Sequence, residues 1–114
     1  MKIIITSNTS WYIYNFRAQL IKTLINKGWT VYVIAPNDSY ALKLKKIGVI
    51  VYNIKLSRFK KSIVSDFFYL SKLFVHFLKI KPAVIHNFTI KPVIYGSIAS
   101  RFLRRVKIVN SIPG

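Results

Sequence analysis

The sequence contains no cysteine, no glutamate and only two aspartates, Asp38 and Asp66, among 114 residues. Without cysteine there is no disulfide framework and no cysteine-held zinc. Two histidines and two aspartates scattered along the chain offer no metal-ligand spacing, so no metal and no cofactor is expected. Glycine is scarce at four residues, and none falls in a G-x-G-x-x-G or Walker pattern. The phosphate cradle of ordinary dinucleotide-binding and P-loop proteins is therefore missing. Neither aspartate is expected on a loop beside a ligand site, which argues against a Ser-His-Asp arrangement. The opening apolar run, Ile3-Ile4-Ile5, is too short for a signal-peptide core or a membrane span and reads as a first core strand.

Apolar residues and positive charge are abundant. Hydrophobic residues make up 53% and aromatics 15%, enough for one packed domain and too many for a disordered chain. Lysine and arginine total 19 against the two aspartates, for a formal charge of +17. Such a surface is drawn to polyanions: nucleic acid, anionic lipid or phosphorylated substrates. Solubility with compositional drift towards Ile, Lys, Asn, Tyr and Phe is the plain alternative, although it does not account for the missing glutamate.

Apolar runs of strand length alternate with segments of helical period. Strands are expected at residues 2–6, 30–35, 49–54, 83–86 and 106–109. Helices are expected at 13–27, after Asn37, Asp38 or Ser39 through Ile47, at 62–80, and from Pro92 to about Arg105. Gly28 and Gly48 suit helix ends. Strands apolar throughout and separated by helices mean a parallel sheet buried on both faces. The fold class is thus α/β: a Rossmann-like open sheet of about five strands in order 3-2-1-4-5, helices on both faces, with a switch point between the first and fourth strands.

In such a sheet, ligands bind beyond the carboxyl ends of the strands at the switch point. Two loops flank it. One runs from Thr6 to Tyr12 and is rich in hydroxyls and amides; the other, His86 to Lys91, leads into a helix N-terminus where free N–H groups and Lys91 can meet an anion. His86 is expected to end its strand there, open either to a ligand or to a structural role; His76 lies inside the long helix. In that helix Ser65, Tyr69, Lys72, His76 and Lys79 form a narrow polar stripe, and Phe67, Phe68, Leu70, Leu73, Phe74, Val75, Phe77 and Leu78 cover most of the rest. A helix this apolar is buried or touches lipid or a partner. The preceding Arg58-Phe59-Lys60-Lys61 can anchor to an anionic bilayer; alternatively Phe67, Phe74 and Leu78 pack on the sheet.

Three segments carry a family resemblance: the opening strand and loop followed by Tyr14-Asn15-Phe16-Arg17; the run from His86 through Lys91-Pro92 to Tyr95-Gly96; and the closing Val109-Asn110-Ser111-Ile112-Pro113-Gly114. Together they resemble the N-terminal, acceptor-side domain of bacterial GT-B glycosyltransferases of the GT4 type, a family that includes N-acetylgalactosaminyltransferases of glycan assembly. The resemblance spans the whole chain. It implies one Rossmann-like domain at residues 1–114, the first half of a GT-B fold, with the nucleotide sugar bound mainly by a second domain. That domain's paired-glutamate motif is not in this chain, which alone would be inactive. Many relatives carry a Gly-Gly pair in the first loop, where Ser7, Asn8, Thr9 and Ser10 stand here; some carry a histidine or glutamate after the fifth strand, where Asn110 and Ser111 stand here.

The implied activity is the acceptor-binding half of a retaining, metal-independent transferase. It would move a sugar from a nucleotide sugar to a lipid-linked or surface-polysaccharide acceptor at the inner face of the cytoplasmic membrane. Implied substrate-binding residues are Ser7, Asn8, Thr9, Ser10, His86, Asn87, Thr89, Lys91, Asn110, Ser111 and Gly114, with His86 the one catalytic candidate and Arg58, Phe59, Lys60 and Lys61 on the membrane. Two rivals stand beside this reading. One is a subunit that completes a split transferase with a donor-domain partner. The other is a basic nucleic-acid-binding module, disfavoured because the aromatics fall on core positions and no helix-turn-helix or RNA-binding signature appears.

Overall fold

The computed structural model describes residues 1–55, 63–101, 103 and 105–112. The elements run β1 (Lys2–Thr6), α1 (Ser10–Asn26), β2 (Thr30–Ala35), α2 (Ala41–Lys46), β3 (Ile50–Asn53), α3 (Ile63–Ile80), β4 (Val84–Phe88), α4 (Ile90–Ser100) and β5 (Lys107–Ser111). All neighbouring strands pair in parallel, in the order β3-β2-β1-β4-β5, so the sheet expected from the sequence is the one observed.

Strand alternation sends successive side chains to opposite faces, and each face has its own core. Ile3 and Ile5 join Val31, Val33 and Phe88 beneath α1 and α2, which contribute Ile13, Ile21 and Leu44. Ile4 joins Ile34 and Ile85 on the other face beneath α3 and α4, which contribute Tyr69, Leu73, Phe77, Ile80 and Ala99.

Element boundaries shifted where backbone groups found partners that periodicity does not reveal. α1 begins three residues before Ile13, because Thr9 is extended and its Oγ1 accepts from Tyr12 N at 3.0 Å. Asp38 starts the turn into α2, its Oδ1 accepting from Tyr40 N at 2.8 Å. β4 continues two residues past His86, and β5 two residues past Val109, because Asn87 pairs with Asn110 and Phe88 with Ser111. His86 therefore lies within its strand and does not end it. α4 starts at Ile90 and ends at Ser100, five residues short of Arg105; Arg101 N and Leu103 N instead close tight turns on Ile98 O and Ser100 O.

In α3 the polar stripe is narrower than expected. Tyr69 is fully buried beside Leu73 and Phe77, and its hydroxyl has no partner among the described residues. Burial raises the Tyr69 pKa and keeps it neutral. Phe67 and Phe68 point the other way, 64% and 59% exposed, with Leu78 also exposed, so Phe67 and Leu78 do not pack on the sheet. The proposed membrane residues Arg58, Phe59, Lys60 and Lys61, and the site residue Gly114, lie outside the described residues.

One glycine is fixed by packing. A Cβ at Gly96 would overlap the Asn87 amide, with Cγ 2.6 Å away. The Asn87 side chain is fully buried and hydrogen-bonded at both ends of its amide, so it cannot yield easily. Gly96→Ala is expected to lower unfolding free energy by about 1–3 kcal/mol. Gly96→Ala combined with Asn87→Ala should cost less than the sum of the two single changes in denaturant titrations, since the pair shares one space.

Candidate functional site

A cleft of about 600 Å³ opens at the carboxyl edge of the sheet, lined by Asn8, Thr9, Trp11, Tyr12, Asp38, Ser39, Tyr40 and Thr89. It draws on the loops after β1, β2 and β4. Three aromatic rings, four amide or hydroxyl side chains and a carboxylate converge there, a lining suited to a polar ligand with apolar faces.

Asp38 organises one wall. Its Oδ2 accepts from Trp11 N at 3.1 Å, while Oδ1 holds Tyr40 N. The carboxylate thus caps the positive end of α1, which has no acidic residue in its own first turn. An incoming phosphate would find that end already neutralised. A carboxylate has about four lone-pair positions, so Asp38 keeps capacity for a ligand hydroxyl. Sequence reasoning did not place Asp38 at the site; its position directly after the second strand and Pro36 was the available signal.

Thr89 organises the floor. Its φ of 69° and ψ of 166° belong to a region populated mainly by glycine, and a β-branched residue there is strained by about 1–3 kcal/mol. Its Oγ1 accepts from Asn8 N at 3.2 Å, and its N–H donates to Ser111 O at 3.2 Å. Thr89 therefore ties the loop after β1 to the end of β5.

Below the cleft, on the α4 face, a polar chain crosses three strands. Thr6 Oγ1 donates to Asn87 Oδ1 at 2.6 Å, Asn87 Nδ2 to Asn110 Oδ1 at 3.0 Å, and Asn110 Nδ2 to Ser97 Oγ at 3.1 Å. On the α1 face lies a second group. His86 stacks on Phe88 with ring centroids 4.0 Å apart, and its Nε2 sits 3.0 Å from Ser111 Oγ. Arg17 lies over the Phe88 ring at 4.9 Å. Burial first, and then the Arg17 charge, lower the His86 pKa and favour the neutral imidazole.

The structure brings together some of the expected site residues and separates others. Asn8, Thr9 and Thr89 line the cleft. Ser7 and Ser10 are buried beneath it; Ser7 Oγ accepts from Thr9 N at 3.4 Å, and Ser10 Oγ has no partner among the described residues. Asn87 and Asn110 belong to the polar chain, and Ser111 to the histidine group. Lys91 forms an ion pair with Asp66 of α3 at 3.1 Å, and Tyr95 OH donates to the other Asp66 oxygen at 2.8 Å. Lys91 thus lies on the α3–α4 face, across the sheet from His86.

Fold and cleft define an α/β domain with a candidate site at the switch point of a Rossmann-like sheet. A sequence profile described as glycosyl transferase 4-like matches residues 2–114, and the chain belongs to that family. It is similar to the N,N'-diacetylbacillosaminyl-diphospho-undecaprenol alpha-1,3-N-acetylgalactosaminyltransferase of Campylobacter jejuni, with 38% identity over 76 residues, 64% of this chain and 20% of the relative. Two solved structures share the fold. A glycosyltransferase from Rickettsia africae superposes with TM-score 0.79 at 14% identity, covering 96% of this chain and 28% of that one. Acinetobacter baumannii MurG superposes with TM-score 0.73 at 15% identity, covering 97% and 33%. A UDP-N-acetylglucosamine 2-epimerase also does so, at 0.70 and 14%, covering 96% and 32%, so the fold alone does not decide the reaction. The chain spans about a fifth of the curated relative's length and about a third of these solved chains.

The histidine group yields a test. An imidazole whose pKa drops on folding from its ordinary 6.5 adds stability that is complete above that value and is lost as pH falls through the folded pKa. Wild type should therefore lose stability on acidification below about pH 6.5, and His86→Gln should show a shallower loss over the same range in denaturant titrations.

Proposed function

We propose that this chain is the acceptor-binding half of a retaining glycosyltransferase, which moves a sugar from a nucleotide sugar to a lipid-linked or surface-polysaccharide acceptor. The observation that carries the reading is the carboxyl-edge cleft. Trp11, Tyr12 and Tyr40 offer ring faces for the C–H faces of a sugar, while Asn8, Thr9 and Asp38 offer hydrogen bonds for its hydroxyls. The Campylobacter relative, named for transfer onto a diphospho-undecaprenol-linked sugar, supports a lipid-linked acceptor. The missing glycine pair and the Asp38 cap both disfavour a donor diphosphate at the loop after β1, which supports a reading in which a second domain holds the nucleotide sugar and this one is inactive alone. The neutral His86, held by Ser111, is the candidate to accept a proton from the acceptor hydroxyl or to orient it. Catalysis then rests chiefly on electrostatic stabilisation of the departing nucleotide diphosphate.

A lipid-linked acceptor implies work at a bilayer, at the inner face of the cytoplasmic membrane. Among the described residues no helix is long and apolar enough to cross one. Contact would instead run through the outer face of α3, where Ile63, Val64, Phe67, Phe68, Val75 and Leu78 are exposed, with the basic segment before it and the net charge of +17 adding attraction to anionic lipid.

Two measurements test these readings. In the full-length enzyme, Trp11→Ala and Asp38→Asn should raise KM for the lipid-linked acceptor roughly ten- to a hundredfold and leave KM for the nucleotide sugar near wild type. A rise confined to the donor KM would refute the acceptor assignment. Phe67→Ser with Phe68→Ser should weaken sedimentation with anionic vesicles, and wild-type binding should fall with added salt. Salt-independent binding, equal on neutral vesicles, would refute the electrostatic part.

A further inference from the structure

A second cleft of about 600 Å³ lies at the opposite, amino edge of the sheet, lined by Met1, Lys2, Leu78, Lys81, Pro82, Ala83, Leu103 and Arg105. Strands of five residues put about 17 Å between the two edges, so this space is separate from the cleft already described. Its wall is apolar and its cations are three. Two of them occupy unusual backbone positions: Lys81 has φ 54° and Arg105 has φ 57°, both left-handed. Glycine is the residue most at ease at such positions, and the chain uses it at Gly28 and Gly48, with φ of 90° and 104°. At the two left-handed positions on this one cleft the chain carries a lysine and an arginine instead, accepting the strain of a side chain there.

Helix capping does not require all three cations. Lys2 Nζ already donates to Ile80 O, the last carbonyl of α3, at 3.3 Å. The only side-chain carboxylates of the chain are elsewhere: Asp66 with Lys91 near the start of α3, and Asp38 in the opposite cleft. Leu78 joins this cleft to the exposed apolar face of α3.

We infer that the amino-edge cleft binds a phosphate group carried on an apolar tail, the head of an anionic membrane lipid. Lys81 and Arg105 meet the phosphate, and Leu78, Pro82 and Leu103 meet the first part of the tail. The site is distinct from the acceptor cleft. The lipid source rests on the membrane reading above, whereas the phosphate chemistry does not.

The left-handed backbone makes the test clean, because glycine removes each charge at positions glycine favours. Lys81→Gly with Arg105→Gly should keep the wild-type melting temperature, and Lys81→Asn with Arg105→Asn provides a second pair that also tolerates this conformation. Lys45→Gln with Lys46→Gln removes two exposed charges from α2 as a control. Partition of the protein is measured on phosphatidylcholine vesicles with and without phosphatidylglycerol, and again with inorganic phosphate at matched ionic strength. Either cleft pair should lower partition onto phosphatidylglycerol vesicles by roughly ten- to thirtyfold, the control pair by much less, and inorganic phosphate should not compete. Equal losses in cleft and control pairs would overturn the site while leaving the membrane reading intact. Competition by inorganic phosphate, lost in the cleft pair, would assign the site to a free anion and overturn the lipid source. Absence of wild-type binding to phosphatidylglycerol vesicles, together with no phosphate binding, would overturn both.

Discussion

The arrangement of the carboxyl edge depends on one buried amide. Asn87 is fully buried, yet both ends of its side chain are engaged, by Thr6 on one side and Asn110 on the other. An amide left unpaired at that depth would cost about 1–3 kcal/mol, so the neighbours are constrained in identity as well as in position. Gly96 must lack a side chain to leave room for it, which fixes how closely α4 approaches the sheet. That approach in turn sets where Thr89 and the start of α4 stand beside the cleft. A polar contact below the site thus determines the shape of the site.

Scarcity of acid gives each carboxylate a large share of the organisation. Asp38 joins the starts of α1 and α2, and Asp66 joins α3 to α4 through Lys91 and Tyr95. The Tyr95 pKa is raised, first by its hydrogen bond to Asp66, and the phenol therefore stays a donor. Each face of the sheet has one acidic clasp between its two helices. The surplus of cations is left to the surface, where it can serve attraction to anions and cannot be matched internally.

The sheet was legible in the sequence because its strands are unbroken apolar runs, Lys2 to Thr6 and Thr30 to Ala35 to the residue, and because parallel strands demand intervening helices. The site was legible as a pair of loops and much less so as a set of side chains. Period alone does not reveal that Phe88 and Ser111 extend their strands, and this placed His86 within β4, under Phe88. Nor does it reveal that Lys91 faces Asp66, a partner 25 residues earlier on another helix. Tyr69 was misjudged for a related reason: a phenol is polar by type but mostly ring by area, and the ring decided its direction. Family resemblance pointed to the loops that border the cleft without supplying which side chains within them line it.

The strained backbone of Thr89 has a mechanical consequence. Its hydroxyl holds the loop after β1, its N–H holds the last carbonyl of β5, and its carbonyl accepts the first helical hydrogen bond of α4 from Val93. Three elements therefore hang from one residue that its own torsion energy urges to move. A ligand that displaced Asn8 would pull on this hinge, and relaxation of Thr89 would rotate the start of α4 relative to the sheet. Occupancy of the cleft would then be transmitted as a small change in helix direction at the carboxyl edge.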